Sequence, residues 1–186
     1  VDASKLYKLW GIPPGISDNL TGKIDQPPET LSKCKDWLQK DTAHCILSGS
    51  NGTGKTTLAC RMMVQWMQHN MAKERDRSLS ALFVKQTQLY LQWLDEMRTG
   101  SVYGLLQRFG EYDILVIDDL GVKMPTEGWR EWVTSLIDHR VDWKKRTIIT
   151  TNCNGDAIQD YYGEAMLSRL LMGTQLKLEG KDRRLQ

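Results

Sequence analysis

The stretch that decides the reading is GSNGTGKT, Gly49 to Thr56. It fits the spacing GxxxxGK[ST], and its flanks matter as much as the match. Before it runs HCILS, His44 to Ser48, a short apolar segment that suits a buried strand. After it, Leu58, Met62, Met63, Trp66 and Met67 fall on one face of a helix. A strand, a glycine-rich loop and a helix in that order make a phosphate cradle. The glycines let the backbone curl so that several N–H groups converge on phosphate oxygens. The helix beginning near Lys55 turns the positive end of its dipole to the same place. Gly49, Ser50, Asn51, Gly52, Thr53, Gly54, Lys55, Thr56 and the adjacent Thr57 are therefore expected to hold a nucleotide. Lys55 adds a point charge at the β- and γ-phosphates, and the Thr56 hydroxyl is placed to bind Mg²⁺.

Downstream, Ile114-Leu115-Val116-Ile117 is a nearly continuous apolar run ending in Asp118-Asp119. Such a run suits a parallel strand covered on both faces. Two adjacent carboxylates at its carboxyl end repel one another unless a cation sits there. That end is also where open α/β sheets bind ligands. Asp118 is expected to hold Mg²⁺, directly or through water, and Asp119 to polarise an attacking water. The next strand closes on Thr150-Thr151-Asn152. The Asn152 amide there can orient water beside the γ-phosphate, although a hydrogen-bonded strand cap is the plainer role. For Asn152 to act, its strand must lie beside that of the phosphate loop, as in the order 5-1-4-3-2.

The bulk numbers describe one domain with a real core: 186 residues, 40% hydrophobic and 26% charged. A net charge of +2 excludes a global polyelectrolyte attraction to nucleic acid, so any basic surface is local. Cys34, Cys45, Cys60 and Cys153 show neither CxxC nor metal spacing, which points to reduced thiols in a cytoplasmic protein. No apolar run reaches the length of a membrane span and no signal peptide is visible. The chain starts at Val1 rather than Met, which leaves room for a preceding domain. Residues 1–40 form a lead-in rich in Pro and Gly, with a helix starting at Pro28; it carries no long regular element before that helix. Residues 41–186 form the core. Strands at HCILS, LSALFVK, YDILVIDDLG, RTIITTN and TQLKLEG alternate with helices, so the class is α/β with a mostly parallel sheet.

The stretch EAMLSRLLMG reads as one packed helix of Ala165, Met166, Leu167, Leu170, Leu171 and Met172, with Arg169 among them. A lone arginine there ordinarily lays its stem along the apolar face. Yet GSNGTGKT, LVIDDLG, TIITTN, SRLLMG and LEGKDRR, in that order, resemble the AAA+ ATPases of the P-loop NTPase class. More narrowly, the chain is similar to the DnaC-type bacterial helicase loaders and the IstB-type transposition helper ATPases. WGIPPG is similar to that group's lead-in, and the match runs from about Trp10 to Arg184.

The resemblance implies a five-stranded parallel sheet flanked by helices, without a separate helical lid domain. It makes Lys55 and Thr56 the Walker A pair, Asp118 and Asp119 the Walker B acids and Asn152 sensor 1. Arg169 becomes an arginine finger acting in trans on a neighbouring subunit, and Arg184, next to Arg183, the sensor-2 arginine. Asp119 stands where many AAA+ proteins carry Glu. The implied activity is hydrolysis of ATP to ADP with Mg²⁺. The implied partners are a replicative hexameric helicase, single-stranded DNA and further copies of the chain through the ATP site, with no membrane. The helicase-binding module of that group is not evident in residues 1–40. A duplex-DNA transposition helper and a nucleotide-gated module with negligible hydrolysis are the alternatives. The lead-in around Ile12 to Ile16 is a candidate wall for the adenine.

Single-strand binding combines basic grooves with stacking aromatics. The candidate DNA contacts are Arg140, Lys144, Lys145 and Arg146 around Trp143, and Arg98 with Tyr90, Trp93, Tyr103 and Arg108. Solvated turns and core aromatics are the simpler account of both groups.

Overall fold

The structure, a computed structural model, describes residues 3–22, 26–40, 44–73 and 78–180. Three helices come first: α1 (Ala3–Leu9), α2 (Pro14–Ser17) and α3 (Pro28–Gln39). Strand β1 (His44–Ser48) leads through the phosphate loop into α4 (Lys55–Lys73). Then follow β2 (Ala81–Lys85), α5 (Gln86–Thr99), α6 (Val102–Glu111), β3 (Ile114–Leu120) and α7 (Glu127–Asp142). The chain continues with β4 (Arg146–Thr151), α8 (Gly155–Tyr162), α9 (Glu164–Leu171) and β5 (Thr174–Lys177).

The strands form one sheet in the order β2-β3-β4-β1-β5, and every neighbouring pair is parallel. This is the expected order read from the other edge. It inserts β4 between β3 and β1, so the carboxyl ends of all three meet over the phosphate loop. Side chains alternate across the sheet, as a strand period of two requires. Ile114, Val116, Cys45, Leu47 and Ile148 pack on one face, with α4 and Trp37 of α3. Leu115, Ile117, Ile46 and Ile149 pack on the other, with Trp93, Trp129, Trp132 and Leu136. The result is a three-layer α/β sandwich with β3 fully sheathed.

The lead-in shares the first of these cores through Trp10, Ile12, Cys34 and Trp37. Helix α1, at Ala3–Leu9, lies just ahead of the Pro/Gly-rich stretch and is one element that periodicity did not indicate. The lead-in also covers the open edge of β2: the Phe83 N–H donates to the Trp10 carbonyl at 2.7 Å. A free strand edge is a pairing hazard, and this contact blunts it.

Most of the proposed DNA-contacting basic residues serve the fold instead. Arg140 is fully buried. Its guanidinium donates to Thr147 Oγ1 at 2.8 Å and to the carbonyls of Phe109, Gly110 and Tyr112 at 2.8, 3.0 and 2.9 Å. It also donates to the Arg146 carbonyl, at 2.5 Å. It ties the end of α6 to α7 and the start of β4, and it is no DNA contact. Arg146 donates to the Trp37 and Lys40 carbonyls and stacks over the Trp37 ring, 4.9 Å from its centroid. Lys145 is paired with Asp113 and Glu111. Lys144 and Arg98 are exposed, as are Trp143 and Tyr103. Trp93 is buried against Tyr90 and Trp129, which removes it as a base-stacking platform. Removing Arg140 would orphan several buried acceptors at once, each costing about 1–3 kcal/mol. Arg140→Ala should therefore lose about 3 kcal/mol or more of unfolding free energy, measured by urea denaturation. A loss of a few tenths would return Arg140 to the surface.

Candidate nucleotide-binding site

The phosphate loop takes its shape from three glycines with positive φ: Gly49 at 144°, Gly52 at 72° and Gly54 at 88°. Gly49 is also forced by space, since a Cβ there would lie 2.2 Å from the Leu178 carbonyl oxygen. The Leu178 N–H in turn donates to the Ser48 carbonyl at 2.7 Å, so the segment after β5 is pinned beneath the start of the loop. Thr53 is buried and closes the loop from inside, its hydroxyl donating to the Ser50 carbonyl at 2.9 Å. The Lys55 ammonium folds back over the loop and donates to the carbonyls of Gly49 and Ser50 at 2.8 and 2.6 Å.

Above the loop stand the two acids. Asp118 is 1% exposed, and its Oδ1 accepts hydrogen bonds from Thr56 at 2.8 Å and Thr150 at 2.7 Å. Burial pushes its carboxyl above the usual carboxylate range. The neighbouring charge of Asp119 adds to this, while the two hydroxyls and Lys85 pull the other way. Asp119 is aimed differently. The β3–β4 register slips between Ile117 and Leu120, and Asp119 sits in the left-handed region at φ 61°. Such bulges re-aim side chains beside active sites, and Asp tolerates this conformation better than most residues. The Asp119 N–H donates to Thr150 Oγ1 at 2.9 Å. One hydroxyl therefore braces both acids. The following turn is held by Gln86, whose Oε1 accepts from the Gly121 N–H at 2.5 Å and the Tyr162 hydroxyl at 3.3 Å.

Asn152 is exposed at the end of β4, and its amide donates to Asn51 Oδ1 of the phosphate loop at 2.9 Å. The cleft over the loop has a volume of about 480 Å³. Asn51, Gly52, Gly54, Lys55, Thr56, Thr57 and Asp119 line it, with Asn19, Gly22 and Arg61 at its far side. Ile12 does not wall it: that side chain is buried in the core with Ile16 packed against it. The lead-in borders the cleft a turn later, at Asn19 and Gly22. Thr150, Gln86 and Arg61 are site residues that sequence reasoning missed. For Thr150 there was a signal, a second threonine before the asparagine; for Gln86 and Arg61 there was none. Arg183 and Arg184 lie outside the described residues.

Among the described residues, no cluster of three or more His, Cys, Asp or Glu side chains is set to hold a metal alone. Mg²⁺ held by one hydroxyl, one carboxylate, water and phosphate oxygens needs no such cluster. The Thr56–Asp118 pair fits that chemistry.

Arg169 is held by Asp138 of α7, Nε to Oδ1 at 2.8 Å, and its side chain is 41% exposed. It does not line the chain's own cleft. Helix α9 is less packed than its composition suggests: Met166 and Leu170 are buried, while Ala165, Leu171 and Met172 are exposed. Arg169 thus stands beside the exposed Leu171 and Met172, on an outward face that Glu164 and Ser168 share. No helix among the described residues is long and apolar enough to cross a membrane.

Residues 23–185 match the family model described as IstB-like ATP binding protein. The replicative helicase loader DnaC of Escherichia coli K12 is 26% identical over 86% of this chain and 64% of its own length. The chain therefore spans somewhat under two thirds of that relative. A putative insertion sequence ATP-binding protein of Sinorhizobium fredii is 26% identical over 93% of this chain and 68% of its own length. A crystal structure of the DnaC helicase loader superposes with a TM-score of 0.71 at 22% identity, covering 86% of this chain and 96% of that one. The fold is that of the AAA+ P-loop proteins.

The buried acid gives a pH signature. A carboxyl whose folded pKa is raised contributes stability that is complete below its unfolded pKa and lost as pH rises through the folded value. Without nucleotide, Asp118→Asn should therefore raise the melting temperature at neutral pH and change it little at acid pH. Thermal melts at the two pH values check this, and an equal shift at both overturns it.

Proposed function

We propose that this chain, which belongs to the family of IstB-like ATP-binding proteins, is an ATP-driven helicase loader. In this reading it assembles on single-stranded DNA and engages the replicative hexameric helicase. The observation that carries the ATPase reading is the joint clamp on Asp118 by Thr56 and Thr150, set directly over the phosphate loop. The similarity to DnaC supports the loading role, and the exposed Leu171 and Met172 beside Arg169 support assembly.

In this reading the triphosphate enters with its β- and γ-phosphates on the loop amides, and Lys55 exchanges the Gly49 and Ser50 carbonyls for phosphate oxygens. Thr56 and Asp118 would hold Mg²⁺, which neutralises charge on the phosphates. Asp119, turned out of the strand, takes a proton from the attacking water. Asn152 orients that water from the neighbouring strand and releases Asn51 to do so. Arg169 leaves Asp138 and reaches the γ-phosphate held by the next copy. There its guanidinium balances the charge that builds up as the phosphoryl group departs. Lys144, Arg98 and Arg108 are the exposed cations left among the candidates for the DNA backbone, which a phosphate-tracking groove would use.

The insertion-sequence relative, which covers 93% of the chain, favours a second reading as a transposition helper on duplex DNA. A pull-down of the cognate hexameric helicase with ATP, ADP and no nucleotide separates the two. Nucleotide-dependent capture is expected; no association in any state, with cooperative filaments on duplex DNA, overturns loading.

Arg169→Ala should leave ATP binding by the monomer unchanged and reduce assembly-dependent turnover by about 10³-fold or more. Equal loss of binding in isolated monomers would make Arg169 structural. Asp119→Asn should keep nucleotide affinity and abolish turnover. Undetectable turnover in the unmodified chain, with DNA and helicase present, would favour a nucleotide-gated module.

A further inference from the structure

The cleft contains a second buried cation that the phosphate-loop pattern does not include. Arg61 sits on α4 six residues beyond Lys55 and is only 8% exposed. It lines the same cleft as Lys55, Thr56 and Thr57. Its Nη2 donates to the Asn19 carbonyl of the lead-in, and its Nε is buried with no hydrogen-bond partner. Gly22 lies beside the same Nη2, close enough that a Cβ there would stand 3.6 Å from it. Burial alone acts on this guanidinium, with no carboxylate among the described residues acting on its charge.

Buried arginines are almost always paired, because an unpaired charge costs far more to bury than a neutral group of the same shape. A guanidinium that is desolvated, half-satisfied and open to a cleft has its partner in the ligand. Its position says which part. Six residues advance the helix by roughly 9 Å, and side chains lean back toward the helix N-terminus. Arg61 thus reaches the cleft behind the β-phosphate, between the loop and the lead-in.

We infer that Arg61 is a nucleotide-binding residue that pairs with the α-phosphate and ribose end of the bound nucleotide, locking the lead-in at Asn19 onto an occupied site. The inference rests on the nucleotide-site reading above and adds a contact shared by the triphosphate and diphosphate.

Calorimetric titration of the full chain with ATP and with ADP tests it, using Arg61→Met and Arg61→Lys beside the unmodified chain. Arg61→Met should weaken both nucleotides by a similar factor, tenfold or more, with Arg61→Lys between the two. The nucleotide-free melting temperature of Arg61→Met should be equal or higher, since an apolar side chain of similar length relieves a buried unpaired charge. Unchanged affinity in Arg61→Met, whatever its melting temperature, overturns the inference. So does a loss confined to ATP, which would put Arg61 at the γ-phosphate. If the unmodified chain binds neither nucleotide, the site reading itself fails, and this inference with it.

Discussion

The carboxylate of Asp118 is the point where three elements are joined. It belongs to β3, is gripped by the hydroxyl of Thr56 at the head of α4, and is gripped again by Thr150 of β4. The Thr150 contact exists only because β4 lies beside β3, inserted between it and β1. Strand order and site are therefore one constraint, and the apolar sheath around β3 is what holds it. Burial disfavours the charge of this acid, and the hydroxyls of Thr150 and Thr56 act against that burial.

Some of this was legible from spacing alone. GSNGTGKT and the apolar run into Asp118-Asp119 are local patterns, dictated by backbone curvature and by burial of a whole strand. The strand order was legible as the order that a role for Asn152 would require and that suits the AAA+ resemblance, and β4 does lie beside β1. What escaped depends on register between distant segments. Thr150 serves both acids only because β4 lies beside β3 with a slip at Asp119. Gln86 reaches the acidic turn across 35 residues of sequence. The basic cluster from Arg140 to Arg146 shows the opposite failure. A row of charges looks the same in sequence whether a guanidinium meets solvent or four carbonyls, and here Arg140 meets carbonyls.

Helix α9 misled in a further way. Six apolar residues around one arginine suggested a packed segment, yet only two of the six are buried. The others leave Leu171 and Met172 in solvent beside Arg169, which is tied to Asp138 in the meantime. A hydrophobic pattern reports the area that must be covered, not whether the cover comes from the same chain. The Asp138 contact gives the Arg169 guanidinium a partner within its own chain.

The phosphate loop has a comparable resting state, and it bears on selectivity. Lys55 already bridges two carbonyls of the loop it serves, so the loop holds its own side chain as a stand-in for ligand. In the reading proposed above, an incoming anion would have to replace both carbonyls at the ammonium while it also gathers the loop amides. A single simple anion offers few oxygens for that, and a polyphosphate chain offers several along one connected molecule. The self-contact would then act as a threshold that favours a polyphosphate over a simple anion.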